Sequence, residues 1–201
     1  EIVLTGIHTG NYNSSGKRLI DIIKKISKID NLKRIRISSI EVTELNSEFL
    51  EELKNNPKIC NHLHIPLQSG SDNVLKLMNR KYDLNYYENK IKEIRTIRPD
   101  INITTDIIVG FPNETDEDFN NTLEFTEKLK FGKIHVFPYS KRDGTKASLM
   151  TQVKDEIKKK RTRQLLELSL KLESEYQNKF LGQKLDVLIE KVENNVAIGH
   201  T

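Results

Sequence analysis

From Glu1 to Tyr139 the chain alternates between two periods. Apolar runs of period two, the spacing of a half-buried strand, occur at Glu1–Gly6 ("EIVLTG"), Arg34–Ile40 ("RIRISSI"), His62–Gln68 ("HLHIPLQ"), Asn102–Gly110 ("NITTDIIVG") and Lys133–Tyr139 ("KIHVFPY"). The first of these reads as a buried strand. Segments of helical period separate them. Leu19, Ile22, Ile23, Ile26 and Ile29 share one face of Lys17–Ile29, and Ser47–Asn55 starts near Asn46 or Ser47. Ser71 is placed to cap "DNVLKLMN", Pro99 stops "LNYYENKIKEIRTIR", and Thr115 with Asp118 forms a capping box for a helix from Asp116 to about Lys130. Strands alternating with helices of this length mean βα units and a parallel sheet, either open and doubly wound or curled into a barrel.

In both architectures ligands sit at the carboxyl ends of the strands. Polar residues and glycines collect there: Thr5 and Gly6, then Ser38, Ser39 and Glu41, then Gln68 to Ser71, then Gly110, then Tyr139 and Ser140. Within "HLHIPLQ", His62, His64 and Pro66 fall on one face and Leu63, Ile65 and Leu67 on the other. A barrel metal hydrolase wants carboxylates at strand ends beside its histidines. Only Glu41 lies just past a strand end, and Asp106 sits within its strand, so a metal held by His62, His64 or His135 is a weak reading. The two histidines of the third strand read as polar interior residues hydrogen-bonded in place.

Cys60 is the single cysteine among 201 residues, which excludes an internal disulfide and fits a reducing cytoplasm. It reads as a small packed side chain. No apolar run is long enough to cross a bilayer, and the first residues lack the form of a signal peptide. A chain that opens at once on a strand is expected to continue upstream in a longer protein. The net charge is +4, and "KDEIKKKRTR" (Lys154–Arg163) carries all of that excess. Such a run is either a solvated helix face or a phosphate-facing patch, in which Lys158, Lys160 and Arg161 are the candidate contacts. From about Val153 to Phe180 the pattern is one long helix with Leu165, Leu168, Leu172 and Tyr176 in a stripe, ended by Gly182. "QKLDVLIEKV" and "NVAIGHT" then read as two strands joined by "ENN".

Taken together, "EIVLTGIHTGNY", "RIRISSIE", "HLHIPLQSGSDNVLKLMNRKY", "DIIVGFPNETDEDF" and "HVFPYSKRDGTKA" resemble, in this order and over essentially the whole chain, the radical S-adenosylmethionine methylthiotransferases. "LTGIHTGNY" is most similar to the branch acting on threonylcarbamoyladenosine in tRNA; the branch acting on isopentenyladenosine is the alternative. A catalytically inert tRNA-binding module is a further alternative for the chain by itself. "FLGQKLDVLIE" looks like the entry to the family's TRAM domain, a small RNA-binding β-barrel.

The resemblance implies an α/β fold, a partial (β/α)6 barrel holding strands two to six at residues 1–152. A connecting helix at 153–182 and the start of a TRAM domain at 183–201 would follow. It implies S-adenosylmethionine and two [4Fe–4S] clusters in the full-length enzyme, tRNA as the partner, no obligate protein partner and a cytoplasmic location. The clusters' cysteines, in a CxxxCxxC loop and an amino-terminal domain, have no counterpart in this sequence, so the resemblance implies that the chain alone binds no cluster and is inactive. For the cofactor it implies Thr5 and Gly6 against the methionine amino group, with Glu41 at the next strand end. Gln68 and Ser69 would contact the ribose and amino-acid portion, and Arg80 would clamp the methionine carboxylate. Ile108 and Gly110 match a strand-five motif whose first glycine is replaced by Asp106 and whose glutamate arrives one place late at Glu114.

Overall fold

The computed structural model describes residues 1–201. Strand β1 (Ile2–Leu4) leads through a minimal hairpin, β2 (Asn13–Ser14) and β3 (Lys17–Arg18), into helix α1 (Leu19–Ile26). Strand β4 (Ile35–Ile37), helix α2 (Ser47–Asn55), strand β5 (His62–His64), the short helix α3 (Asp72–Leu77) and helix α4 (Leu84–Ile97) follow. Then come β6 (Asn102–Val109), α5 (Asp116–Leu129), β7 (Lys133–Pro138) and the long helix α6 (Asp155–Asn178). A terminal hairpin, β8 (Leu188–Glu193) and β9 (Val196–His200), completes the chain. No helix is long and apolar enough to cross a membrane.

The helix starts are set by local chemistry. Side-chain oxygens of Asn46, Ser71, Asp83 and Thr115 accept from backbone N–H groups of the first turns of α2, α3, α4 and α5. Asp118 returns the contact to Thr115 N at 2.9 Å, closing the capping box read from the sequence.

The three long-range strand pairings of the α/β part, β1–β4, β5–β6 and β6–β7, are parallel, but the ladder is not continuous. β1 pairs with β4, and β5–β6–β7 form a separate three-stranded sheet. Between β4 and β5 the connection narrows to three backbone hydrogen bonds: Ile35 N to Lys58 O, Cys60 N to Ile35 O and Ile40 N to His64 O, at 2.7, 2.9 and 3.1 Å. The regular strand expected over Arg34–Ile40 therefore shrinks to three residues. β1 is also not the buried strand its composition suggests. Ile2 and Val3 are 36% and 53% exposed, because β1 has β4 on one side and no strand on the other.

One face of the sheet carries the core. Leu63, Ile65 and Leu67 of the third strand segment and Ile103, Ile107 and Val109 of β6 are buried against the helices. Helix α6 joins the same core through Leu165 and Leu172, and Ser169 Oγ accepts from Ile134 N at 3.0 Å. The opposite, concave face carries His62, His64, Thr104, Asp106 and His135, and much of it opens on a cavity of about 1640 Å³. The terminal hairpin turns on Asn194 and Asn195, both at positive φ as a tight hairpin requires. It folds back on the amino-terminal strand ends: Arg34 donates to His200 O (3.0 Å) and Asp186 O (2.7 Å).

Candidate functional site

The carboxyl ends of β4 and β5 meet across the narrowed part of the sheet. Glu41 sits in extended backbone just before a single 3-10 turn, Val42–Glu44. Arg80 follows α3, where Asn79 at φ 58° turns the chain back. Arg80 Nη1 donates to Glu41 Oε1 at 3.0 Å, and each side chain is 28% exposed. A carboxylate and a guanidinium are thus presented together at the mouth, one matched to an ammonium and the other to a carboxylate.

Gln68, 9% exposed, lies at the end of the third strand segment, next to the Leu67 carbonyl that Tyr82 meets. Its φ is 70°, a left-handed conformation that costs a non-glycine residue about 1–2 kcal/mol. The strand over-determines it. Gln68 N donates to Asp106 O at 2.8 Å and Ile108 N donates to Gln68 O at 2.9 Å. Beneath it, Tyr82 Oη donates toward Leu67 O (3.1 Å) and Pro66 O (3.3 Å). Tyr82 is a supporting residue that the sequence did not single out, since nothing local in "NRKYDL" shows which carbonyl its hydroxyl meets.

Several sequence-derived candidates sit elsewhere. Ser69 is 2% exposed, its hydroxyl accepting from Ser71 N (3.2 Å) and lying 3.5 Å from Thr122 Oγ1. It is turned into the packing against α5 and away from the mouth, which corrects its assignment to the cofactor. Asp118 belongs to the same cluster. Burial pulls its pKa upward, but hydrogen bonds from Ser71, Thr115 and Asn73 outweigh this and hold it below the ordinary value. Gly110, at φ 71°, is pressed against the Lys158 stem, where a Cβ would collide. Its N–H donates to Glu114, as does that of Phe111. Glu114 is therefore a structural acceptor of its own turn. Thr5 and Gly6 remain exposed at the end of β1, with Gly6 O accepting from Thr9 Oγ1 at 3.4 Å.

The basic run also divides. Arg161 is buried, its side chain 5% exposed, and its guanidinium reaches Glu114 and Asp116 (3.5 and 2.8 Å) and lies over the Phe119 ring. It cannot meet a phosphate at the surface, because it falls on the α6 stripe one turn before Leu165. Lys158 is 15% exposed and pairs with Asp155 at 2.8 Å. Lys160 is exposed as expected, together with Lys154, Lys159 and Arg163.

On the concave face the strand register joins residues the sequence offered separately. Asp106 is directly opposite His135, and His64 opposite Thr104. His64 Nε2 lies 3.2 Å from Asp106 Oδ2, and the His64 and His135 rings are 5.6 Å apart. His64 Nδ1 and His62 Nε2 both contact Thr104 Oγ1, at 2.9 and 3.0 Å. Burial first, then the nearby Arg36, pushes His62 down to about 4, so this ring is neutral.

The comparisons with known proteins address the same stretch. Residues 2–126 match the radical SAM superfamily. The chain belongs to that superfamily. It is 43% identical, over all of its own length and 47% of the relative's, to the threonylcarbamoyladenosine tRNA methylthiotransferase MtaB of Bacillus subtilis. It is 41% identical, over all of its length and 48% of the relative's, to the tRNA-2-methylthio-N(6)-dimethylallyladenosine synthase of Endomicrobium trichonymphae. The chain spans about half the length of these curated relatives. The solved structure of coproporphyrinogen III oxidase from Escherichia coli, a radical SAM enzyme, shares the fold. Its TM-score is 0.61 at 20% identity, covering 76% of this chain and 37% of that one.

The radical SAM membership implies S-adenosylmethionine and an iron–sulfur cluster, and the residues answer differently for the two. The Glu41–Arg80 pair suits an α-amino acid head, and Gln68 and Asp106 suit hydroxyls, so the donor set fits the nucleoside-linked amino acid. Three cluster thiolates are not on offer. Cys60 sits before β5, at the end of the strands away from the mouth, and burial pushes its thiol up from the ordinary value.

Proposed function

We propose that this chain is the S-adenosylmethionine-binding part of a tRNA methylthiotransferase acting on the threonylcarbamoyladenosine beside the anticodon. The observation that carries the reading is the Glu41–Arg80 pair at the carboxyl ends of the strands of a radical SAM fold. The similarity to tRNA methylthiotransferases supplies the class of substrate. The synthase acting on dimethylallyladenosine, similar at 41%, supports the other branch as the second reading.

On this reading residues 1–152 hold strands two to six of a (β/α)6 barrel, 153–182 are a connecting helix and 183–201 begin an RNA-binding TRAM domain. Two [4Fe–4S] clusters would be held by cysteines of the longer protein. S-adenosylmethionine, reduced at a cluster, supplies the power to remove hydrogen from an unreactive adenine C–H. The residues of this chain bind and orient. Arg80 takes the methionine carboxylate and Glu41 its ammonium, each replacing the partner it now has. Gln68 and Asp106 accept from or donate to the ribose, and the backbone at Phe137–Tyr139 flanks the adenine.

The test is mass spectrometry of digested tRNA after reaction with the full-length protein. Methylthio groups on threonylcarbamoyladenosine are expected, and groups on dimethylallyladenosine alone would move the assignment to the second reading. In this chain, Arg80→Ala is expected to weaken binding of S-adenosylhomocysteine, measured by calorimetry, by about ten- to a hundredfold, the effect of one hydrogen bond to a charged group, and Gln68→Ala by about two- to tenfold, the effect of a neutral one. Unchanged affinity in both would remove them from the site.

For RNA the exposed cations of α6 replace the sequence-derived trio. Lys159→Gln, Lys160→Gln and Arg163→Gln together are expected to flatten the slope of log affinity for tRNA against log salt by about two units, at roughly 0.7–0.9 per lost phosphate contact. An unchanged slope would mean that this face is merely solvated.

A further inference from the structure

Four side chains on the concave face form a line: His62, Thr104, His64, Asp106. The contacts are 3.0 Å (His62 Nε2 to Thr104 Oγ1), 2.9 Å (Thr104 Oγ1 to His64 Nδ1) and 3.2 Å (His64 Nε2 to Asp106 Oδ2). We infer that His62, Thr104 and His64 form a hydrogen-bonded chain of one direction that turns the His64 Nε2–H toward Asp106 Oδ2, so that the three are positioning residues for Asp106. The imidazole faces Oδ2 and leaves Oδ1 for a ligand hydroxyl. The inference rests on the cofactor reading above for the identity of that ligand, a nucleoside ribose.

The direction follows from counting protons. Thr104 Oγ1 carries one hydrogen and is 7% exposed, so it donates to one histidine and accepts from the other. In the first arrangement His62 Nε2–H donates to Thr104, Thr104 O–H donates to His64 Nδ1, and His64 Nε2–H faces the carboxylate. The one group left over is a lone pair on His62 Nδ1, a buried atom that has no hydrogen-bond partner. In the second arrangement every proton is reversed. A bare His64 Nε2 then faces Asp106 Oδ2 at 3.2 Å, acceptor against acceptor, and His62 Nδ1 becomes a buried N–H without an acceptor. Charging His64 makes its Nδ1–H a donor to Thr104, which strands either the threonine proton or, with His62 accepting at Nε2, the buried His62 Nδ1–H. Stranded donors and opposed acceptors each cost more than one idle lone pair. The first arrangement is the one the geometry selects.

Asp106 has no side-chain hydrogen bond to any other residue, and it is part-exposed. Its backbone oxygen accepts from Gln68 N at 2.8 Å, which ties the carboxylate's strand position to the mouth residue beside it. A carboxylate with one oxygen facing an imidazole N–H at 3.2 Å is left with the other oxygen for a hydroxyl donor. A cation is the competing arrangement. His64, Asp106 and His135 each bring a donor atom within 4.8 Å of the others, and a metal at His64 Nε2 would displace the proton there and reverse the Thr104 bond.

The experiment uses the 201-residue chain. Nitrogen-15 NMR of the histidine rings at neutral pH is expected to show His62 and His64 both as the Nε2–H tautomer. Thr104→Val should disturb the His64 tautomer, while Thr104→Ser preserves it. Thr104→Val should also weaken S-adenosylhomocysteine binding about three- to tenfold, the range of one lost hydrogen bond. Thr104→Ser should not. In an Asp106→Asn background the valine substitution should have no further effect, because the chain then has nothing to position. A His64 Nδ1–H tautomer, additive effects in the double variant, or stoichiometric binding of Zn²⁺ lost in His135→Ala would each overturn the inference. The tautomers are read without ligand. No binding by the unsubstituted chain would therefore overturn the cofactor reading and the ribose assignment, while the direction of the chain stands or falls on the NMR.

Discussion

Above about pH 7, where Glu114 is ionised, Arg161→Ala is expected to cost about 3–5 kcal/mol of folding stability, the range for removing one partner of a buried ion pair. The reason is what remains. Glu114 is 4% exposed in its side chain and accepts from Gly110 and Phe111, so it stays buried when the guanidinium is gone. Asp116 is 93% exposed and loses little. Even with Arg161 present, burial outweighs its pull and that of the two N–H groups, and pushes Glu114 up to about 7. The folded state therefore holds this proton more tightly than the unfolded chain does. The corresponding stability is complete below about pH 4.5 and is lost as pH rises through about 7, up to roughly 3 kcal/mol over that window. Denaturant titrations at a series of pH values check both points. Glu114→Gln should flatten the profile in this range. A profile that is already flat, or an Arg161→Ala loss under 1 kcal/mol, would show that the pair is not buried as described.

Gly70→Ala is expected to cost about 1–3 kcal/mol, in the manner of overpacking, and to weaken ligand binding at the mouth together with stability. A Cβ at this position would lie 2.6 Å from Thr122 Cα and 3.1 Å from Thr122 O. Both are backbone atoms in the middle of α5, so no rotamer change relieves the contact. The loop Gln68–Ser71 must lift from the helix, and with it go the Gly70 N to Thr122 Oγ1 hydrogen bond (3.1 Å) and the Ser71 contact to Asp118 (2.6 Å). Gln68 is two residues away, in a backbone conformation that tolerates little displacement. Thermal denaturation and calorimetry on the same variant check the pairing of effects; a destabilised variant with unaltered affinity would separate the loop from the site.

The elements set by local rules were readable before the structure. The caps at Asn46, Ser71 and Thr115 and the alternation of β6 are contained in a few adjacent residues, and so is the Asn-Asn turn of the last hairpin. Positions that depend on what lies opposite were not. Ser69 and Gln68 are both buried polar neighbours, and only the packing of α5 on the loop brings the serine hydroxyl toward Thr122. Arg161 and Lys160 are adjacent cations, and their fates differ because Arg161 shares the stripe of Leu165 and Leu172. That phase is present in the sequence, but the run of charge around it masks it. Glu41 and Arg80 lie far apart in the chain and meet across strands, so their pairing is information about the register of the fold.

The narrowing between β4 and β5 gives the molecule a line of weakness. Few backbone hydrogen bonds cross it, whereas the ladder from β5 to β7 is continuous. Protection of amide hydrogens against exchange is therefore expected to fall into two cooperative units, one around β1, α1, β4 and α2 and one around β5 to α6. Glu41 belongs to the first and Arg80 to the second. A molecule held between them is a bridge from one unit to the other, so its binding energy is spent in part on suppressing the opening that would part them. The amino-terminal unit, the less firmly anchored of the two, is where occupancy of the mouth should be felt most.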